Sequence, residues 1–123
     1  MLNTMPTILL VEDDSDAREL TSLVLEDAGY RVLEASGADE ALSLLRDHRE
    51  IDLLFSDIQM PGRMNGIELA RHVLQHKLDL PVLLTSGKPA NYYPDYPGDT
   101  KFLSKPYDRS ALLQWIASCL GQH

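Results

Sequence analysis

Acidic side chains follow two apolar segments of this sequence, at the points where each segment gives way to turn residues. Glu12 and Asp13 come directly after the run 7–11, and Asp57 ends the run 51–57. Apolar runs of this length predict strands buried on both faces of a parallel sheet. Ligands bind at the carboxyl ends of the strands in such sheets. Asp57 is therefore a candidate functional carboxylate, although an aspartate at this place can also serve only as a loop cap.

The three carboxylates would meet at one edge of the sheet if the first and third strands were neighbours. Three anions at close range repel each other strongly unless a cation lies among them. A ligand set made only of oxygen atoms, with no histidine or cysteine, selects a hard ion, and Mg²⁺ is the ion that we expect. The alternative is three separate solvated acids on loops, which is less favoured because acids follow both strands.

A hydroxyl group and an ammonium group follow two further predicted strands. Ser86 ends the run 81–86, and Lys105 follows the run 101–104. Each alone is an ordinary turn or surface residue. Together with a carboxylate nucleophile and a metal, they are the groups needed to receive a phosphoryl group, because that transfer depends on positioning and on neutralising charge. The sequence therefore predicts a phosphoryl-accepting site with Asp57 as its nucleophile.

Predicted strands and helices alternate along the chain, which indicates right-handed parallel crossovers and a doubly wound α/β sheet. The first helix is predicted to begin at Asp14 or Ser15, the second at Ser36, the third after Gly66 and the last at Asp108. The buried stripe of the first helix is predicted at Leu20, Leu23, Val24 and Ala28.

The segment 88–98 interrupts this alternation. Its three prolines leave room for one helical turn at most, so we expect a loop with a short turn in place of a helix. The segment also carries Tyr92, Tyr93 and Tyr96. Two interpretations of these tyrosines stay open: an exposed surface that contacts a partner, or a cover for the neighbouring sheet edge.

The length of 123 residues fits a single domain, predicted at 7–120 between short tails at 1–6 and 121–123. The net charge of −8 argues against direct nucleic-acid binding. The single cysteine, Cys119, excludes an internal disulfide and suits a reducing compartment. No apolar run is long enough to span a membrane. We therefore expect a cytoplasmic protein, and because the chain ends soon after its last helix, we expect no attached output domain.

From about Thr7 to Leu120 the chain resembles the receiver domain of bacterial two-component response regulators. The family's motifs fall on the acidic pair Glu12 and Asp13, the phosphoacceptor Asp57, the switch hydroxyl Ser86 (rather than Thr85), the switch aromatic Phe102, and the pair Lys105–Pro106. The resemblance implies a flavodoxin-like fold, with five parallel strands in the order 2-1-3-4-5.

The resemblance also implies the roles of these residues. Mg²⁺ would be bound by Asp13, Asp57 and the backbone carbonyl of Gln59, with Glu12 acting through water, and the Lys105–Pro106 peptide would be cis. A histidine kinase or a histidine phosphotransfer protein would supply the phosphoryl group, and phosphorylation would switch the binding of a downstream protein. The chain would not be an enzyme in the usual sense, although it could catalyse its own phosphorylation and dephosphorylation.

Several alternatives stay open. The loop 60–66 is one residue longer than in the commonest receivers and resembles the loop of receivers attached to hybrid histidine kinases and of their free-standing relatives. The chain could therefore be a free-standing receiver or a piece of a hybrid kinase. A homodimer is also open. A receiver-like scaffold that works without phosphorylation is a second reading. A Mg²⁺-dependent phosphatase of the haloacid-dehalogenase type would need an aspartate where this chain has Gln59. A flavin-binding module would need a phosphate loop where this chain presents acids.

Overall fold

The computed structural model describes residues 5–76 and 79–122, and strands alternate with helices along most of these residues. The elements are β1 (Thr7–Val11), α1 (Ser15–Asp27), β2 (Arg31–Ala35), α2 (Ala38–Asp47), β3 (Ile51–Asp57), α3 (Gly66–His76), β4 (Val82–Ser86), a 3₁₀ turn (Ala90–Tyr92), β5 (Lys101–Ser104) and α4 (Arg109–Cys119).

The five strands form one parallel sheet in the order β2-β1-β3-β4-β5, which confirms the predicted fold. The central strands β1 and β3 are buried almost throughout, as expected for apolar runs covered on both faces. Because β1 and β3 are neighbours, the acidic residues that follow them emerge side by side. The strand order alone therefore assembles the predicted carboxylate cluster.

Two hydrophobic clusters cover the two faces of the sheet. Successive side chains of a strand point to opposite faces, so neighbouring residues of β1 and β3 belong to different clusters. One cluster joins the sheet to α2 and α3, and the other joins it to α1 and α4. Burying each large apolar side chain contributes about 1.5–3 kcal/mol. The first cluster includes Leu9, Leu54, Ala41 and Ala70, and the second includes Ile8, Phe55, Leu25 and Ile116.

The predicted buried stripe of α1 is wrong for three of its four positions. Leu20 and Leu23 are 66% and 58% exposed, and Ala28 is exposed as well. The helix instead buries Ser22 and Leu25. Ser22 is small, so the helix can lie close to the sheet at this position. Apolar residues lie on several sides of α1, so periodicity alone does not determine which side of the helix faces the sheet.

The start of α2 also differs from the prediction. The helix begins at Ala38 with Gly37 at the N-cap, not at Ser36. The backbone N–H of Ser36 and its hydroxyl both donate to Oε1 of Glu40, at 2.7 and 3.1 Å. Ser36 therefore ties the incoming chain to the first turn of the helix without capping it. By contrast, Asp14 and Asp108 cap α1 and α4 as predicted.

The segment 88–98 contains only the single 3₁₀ turn Ala90–Tyr92, which confirms the predicted loss of a helix between β4 and β5. Tyr93 and Tyr96 are half-buried and pack against the cluster formed with α2 and α3. Tyr92 is 57% exposed. The interpretation of the tyrosines as a cover for the sheet edge therefore holds for Tyr93 and Tyr96, and only Tyr92 presents a large exposed surface.

The first and last elements, β1 and α4, lie within the predicted domain 7–120. Residues 1–4 and 123 of the predicted tails lie outside the described residues. Within the described part of the chain, every helix is too short or too polar to cross a membrane.

Candidate functional site

Three carboxylates meet where β1 and β3 end. Val11 of β1 pairs with Ser56 of β3, so the next residues of each chain segment, Glu12 and Asp57, lie beside one another. One oxygen atom from each of Glu12, Asp13 and Asp57 lies within 4.8 Å of the other two. Glu12 and Asp57 are buried and Asp13 is exposed. The predicted cluster therefore exists, with one side open to solvent.

Lys105 joins this cluster from the end of β5. Its Nζ donates to Oδ2 of Asp57 at 2.9 Å and to Oε1 of Glu12 at 3.5 Å. The Lys105–Pro106 peptide bond is cis, as the resemblance implied. The backbone N–H of Lys105 also donates to the carbonyl of Ser86 at 2.9 Å, which fixes the lysine against the end of β4. The ammonium group thus lies among the carboxylates and not in bulk solvent.

The electrostatics of the site follow from burial and from these contacts. Burial raises the pKa of Glu12, and the negative charge of Asp57 raises it further, against the hydrogen bond from the Asp14 N–H and the charge of Lys105. Burial alone would lower the pKa of Lys105, but the hydrogen bond and charge of Asp57, with the charge of Glu12, raise it overall. Ionising Glu12 therefore makes the metal-free fold less stable as the pH rises through the pKa of Glu12.

The donor set fits a divalent hard cation. When ionised, three carboxylates and one ammonium leave a net charge of −2 at one end of the sheet. All the candidate ligand atoms are oxygens, which Mg²⁺ prefers. The backbone N–H of Gln59 donates to Oδ1 of Asp57 at 3.3 Å, so the Gln59 backbone lies beside the cluster. Its carbonyl as a further ligand stays a prediction.

Ser86 is completely buried at the end of β4. Its Oγ accepts a hydrogen bond from the backbone N–H of Lys88 at 3.0 Å and lies 2.5 Å from the hydroxyl oxygen of Tyr93. The neighbouring hydroxyl, on Thr85, donates to the carbonyl of Leu103 at 2.7 Å within the sheet. The Thr85 hydroxyl is thus used in a hydrogen bond within the sheet. This agrees with the prediction that Ser86, and not Thr85, is the switch hydroxyl.

The sequence of this chain matches a known protein family over most of its length. The model of the response regulator receiver domain matches residues 8–117. The chain belongs to the response regulator receiver family. Four residues at the positions of that family's motifs lie together at the strand ends: Glu12, Asp13, Asp57 and Lys105.

Individual relatives agree with this assignment. The response regulator receiver protein CpdR of Brucella abortus is 39% identical over 119 residues, with 94% of this chain and 98% of that protein covered. The phosphate regulon transcriptional regulatory protein PhoB of Pseudomonas aeruginosa is 39% identical over 84 residues, which are 67% of this chain but only 36% of PhoB. The chain therefore spans nearly all of one curated relative and about a third of another.

Solved receiver structures show the same fold. The chemotaxis protein CheY4 of Vibrio cholerae is 30% identical, with a TM-score of 0.86 over 95% of this chain and all of CheY4. The response regulator TrrA of Thermotoga maritima, solved in complex with Mg²⁺ and BeF, is 28% identical, with a TM-score of 0.85 over 94% of this chain and all of TrrA.

In this receiver, the predicted switch aromatic, Phe102, lies in β5. Phe102 packs with the cluster of α2 and α3, whereas the next residue, Leu103, belongs to the cluster on the other face of the sheet. The Tyr96 ring stands edge-on to Phe102, with the ring centroids 5.9 Å apart. Phe102 is therefore half-buried under the proline-rich segment, and its role as a switch stays a prediction.

Two residues near the site have functions that sequence reasoning missed. Gly66 donates its backbone N–H to the carbonyl of Ile58 at 2.8 Å, and a Cβ there would overlap the carbonyl oxygen of Asp57. Only glycine lets α3 start this close to the end of β3. In the sequence, Gly66 marks only the residue before the third predicted helix, and its contact with Asp57 has no local signal.

The second is Arg18 of α1. Its guanidinium donates from Nη1 to the carbonyl of Glu12 at 2.8 Å and from Nε to Oε1 of Glu34 at 3.2 Å. Arg18 therefore ties the acidic end of β1 to β2. An arginine on a helix next to a glutamate carries no sequence signal for this role, because the contacts join residues distant in the chain.

Proposed function

We propose that this chain is the phosphoacceptor of a two-component phosphorelay and receives a phosphoryl group on Asp57 from a histidine kinase or a histidine phosphotransfer protein. The observation that carries the proposal is the buried Asp57 carboxylate. It is hydrogen-bonded to Lys105 at 2.9 Å inside a cluster of three carboxylates. This arrangement pairs a nucleophile with a fixed cation, and it leaves the excess negative charge that a divalent cation would balance.

In the proposed reaction, a carboxylate oxygen of Asp57 attacks the phosphorus of a phosphohistidine. The new O–P bond forms as the P–N bond breaks, and the electron pair of the broken bond stays on the imidazole nitrogen. The negative charge of the carboxylate passes to the leaving imidazole nitrogen, where a proton neutralises it. The phosphoryl oxygens keep their own negative charge, so the Lys105 ammonium remains close to negative charge throughout. Such positioning and charge neutralisation supply most of the catalysis in phosphoryl transfer.

Asp13, Asp57 and the Gln59 carbonyl would hold Mg²⁺, with Glu12 acting through water. When bound, the ion would neutralise negative charge shared between the carboxylates and the incoming phosphoryl oxygens. We further propose that the chain is not a turnover enzyme for outside substrates, that it works in the cytoplasm, and that phosphorylation changes its affinity for a downstream protein.

The direct test is the intact mass of the protein after incubation with Mg²⁺ and phosphoramidate, a small phosphodonor with a P–N bond. We expect a gain of one phosphoryl group that requires the divalent ion. No gain in mass would favour the phosphorylation-independent scaffold. Steady release of phosphate from an added phosphate monoester would favour the phosphatase.

Metal binding gives an independent prediction. Asp13→Asn removes one of the three repelling carboxylates, so the metal-free protein should become more stable by up to about 1 kcal/mol. At a free concentration of a hundred times its Kd, Mg²⁺ should stabilise the native sequence by about 2.7 kcal/mol, and clearly less in the variant. Thermal unfolding with and without Mg²⁺ measures both effects. Asp16→Asn, an exposed acid outside the cluster, is the control. Equal Mg²⁺ shifts in all three proteins would place the ion elsewhere.

The exposed leucines of α1 suggest how the donor binds. Leu20 and Leu23 are separated by three positions and so lie on one face of the helix that begins directly after Asp13 and Asp14. A donor that brings its phosphohistidine to Asp57 must approach this end of the sheet. Two large exposed apolar side chains on the helix that follows the acidic cluster are therefore suited to bind the apolar surface of that donor.

We expect Leu20→Ala and Leu23→Ala together to slow transfer from a phosphorylated histidine donor protein by tenfold or more, because the double variant removes two large apolar side chains whose burial contributes about 1.5–3 kcal/mol each. Phosphorylation by phosphoramidate, which needs no docking surface, should be unchanged. Comparing the two rates in one variant separates docking from chemistry. Equal slowing with both donors would mean that the leucines support the fold and not the donor.

A further inference from the structure

The hydrogen bond between Ser86 and Tyr93 connects the site to the proline-rich segment. We propose that Tyr93 is a positioning residue for phosphoryl transfer: it holds the Ser86 hydroxyl in the unphosphorylated protein and must release it before Ser86 can bond a phosphoryl oxygen. The inference rests on the proposed function, because it assumes that Ser86 binds the phosphoryl group on Asp57.

The Ser86 hydroxyl is already engaged on the side of the segment that follows β4. Its oxygen accepts from the Lys88 backbone N–H at 3.0 Å and bonds the Tyr93 hydroxyl at 2.5 Å. Asp57, by contrast, ends β3. Because Ser86 is completely buried, no bulk water competes for its hydroxyl, and protein groups decide its direction. Bonding to a phosphoryl oxygen at Asp57 would have to compete with the bond to Tyr93.

Tyr93 is itself held in place by the short turn. Its backbone N–H donates to the Ala90 carbonyl at 3.1 Å, and its carbonyl accepts from the Tyr96 N–H at 3.1 Å. The Tyr92 ring stands edge-on to it, with centroids 5.2 Å apart. This turn stands where regular alternation of strands and helices would place a helix between β4 and β5. Breaking the bond to Ser86 would therefore affect a small irregular unit and would not require a whole helix to move.

Space for such a change exists beside the ring. Tyr93 borders an open surface pocket of about 480 Å³ on the side of the loop that follows Asp57. The other residues that line it are Ile58, Gln59, Met60, Pro61 and Asn65. The Tyr93 ring thus lies between the Ser86 hydroxyl and the loop that follows Asp57. A movement of either neighbour can change the position of the ring.

Tyr93→Phe removes the phenol oxygen and keeps the ring. If the bond competes with phosphoryl binding, the variant should bind beryllofluoride with Mg²⁺ about 3- to 10-fold more tightly, the range expected for losing one competing neutral hydrogen bond. Titration calorimetry measures this affinity. Tyr92→Phe is the matched control, because its neighbouring ring is largely exposed. It should leave the affinity unchanged.

A double-mutant cycle with Ser86→Ala separates positioning from a structural role. In the Ser86→Ala background, Tyr93→Phe should no longer change beryllofluoride affinity. In denaturant unfolding, the two residues should be coupled in the free protein and uncoupled in the beryllofluoride complex. An unchanged or weaker affinity in Tyr93→Phe, or the same gain with and without Ser86, would overturn the proposal.

The same experiments distinguish a failure of the proposed function from a failure of the proposed role of Tyr93. If the native sequence shows no binding of beryllofluoride that depends on Mg²⁺ and Asp57, both proposals fall together. If that binding is normal and the cycle shows no coupling between Ser86 and Tyr93, only the role of Tyr93 falls.

Discussion

Replacing Asp57 by asparagine should abolish phosphorylation of this protein. The amide keeps the shape of the side chain, but its oxygen is a far weaker nucleophile than a carboxylate oxygen and carries no charge to attract Lys105. The expected result is complete loss of the Mg²⁺-dependent gain in mass with phosphoramidate and with a phosphohistidine donor. Intact-mass measurement checks both.

A matched control lies on the same strand. Asp52, near the start of β3, accepts a hydrogen bond from the Thr7 backbone N–H at 2.8 Å, far from the cluster at the other end. Asp52→Asn keeps an oxygen acceptor there and should leave phosphorylation unchanged. Continued modification of the Asp57→Asn protein would show that another residue is the acceptor.

Removing the ammonium of Lys105 should have the second largest effect. In Lys105→Met, a side chain of similar length fills the space, but no cation remains beside Asp57 to stabilise the developing charge on the phosphoryl oxygens. Loss of one preorganised donor of this kind typically costs about 10²–10³ in rate. The rate of mass gain at saturating Mg²⁺ measures the effect. Lys101→Met, an exposed lysine of β5, should react at the native rate.

The same variant should also lose stability in the absence of metal. It leaves the buried carboxylates of Glu12 and Asp57 without their cation. The lysine side chain is 33% exposed, so we expect a loss of about 1–2 kcal/mol and not the 3–5 kcal/mol of a fully buried pair. Asp13→Asn should move metal-free stability in the opposite direction. Equal signs for the two variants in denaturant unfolding would contradict the electrostatic account of the cluster.

The fold and the main site groups could be predicted from sequence because their signals are local. Continuous apolar runs define β1 and β3, and acids directly after them mark the strand ends. Once parallel strands are neighbours, the acids that follow them must converge. The sequence therefore predicts the cluster of Glu12, Asp13 and Asp57. The prolines of the segment 88–98 excluded a helix for an equally local reason, since proline lacks the N–H that a helix needs.

The predictions from sequence were wrong where one local pattern is compatible with several packing arrangements of a helix. On α1, the sequence offers apolar residues around much of the helix, and contact with the sheet selected Ser22 and Leu25 over Leu20 and Leu23. Propensity and periodicity do not determine this rotation, because it depends on which side chains fit against the sheet. The exposed leucines became a candidate docking face only after the tertiary structure placed them outward.

Only the tertiary structure revealed the contacts that join distant parts of the chain. Arg18 binds the carbonyl of Glu12 and also Glu34, Gly66 leaves no room for a side chain against Asp57, and Tyr93 bonds to Ser86. Each contact depends on the distance between backbone segments that are far apart in the chain. Residue type and spacing do not determine that distance. The sequence by itself determined which polar groups meet at one end of the sheet, because each of them directly follows a strand. The packing of the folded chain decided which neighbours hold those groups in position.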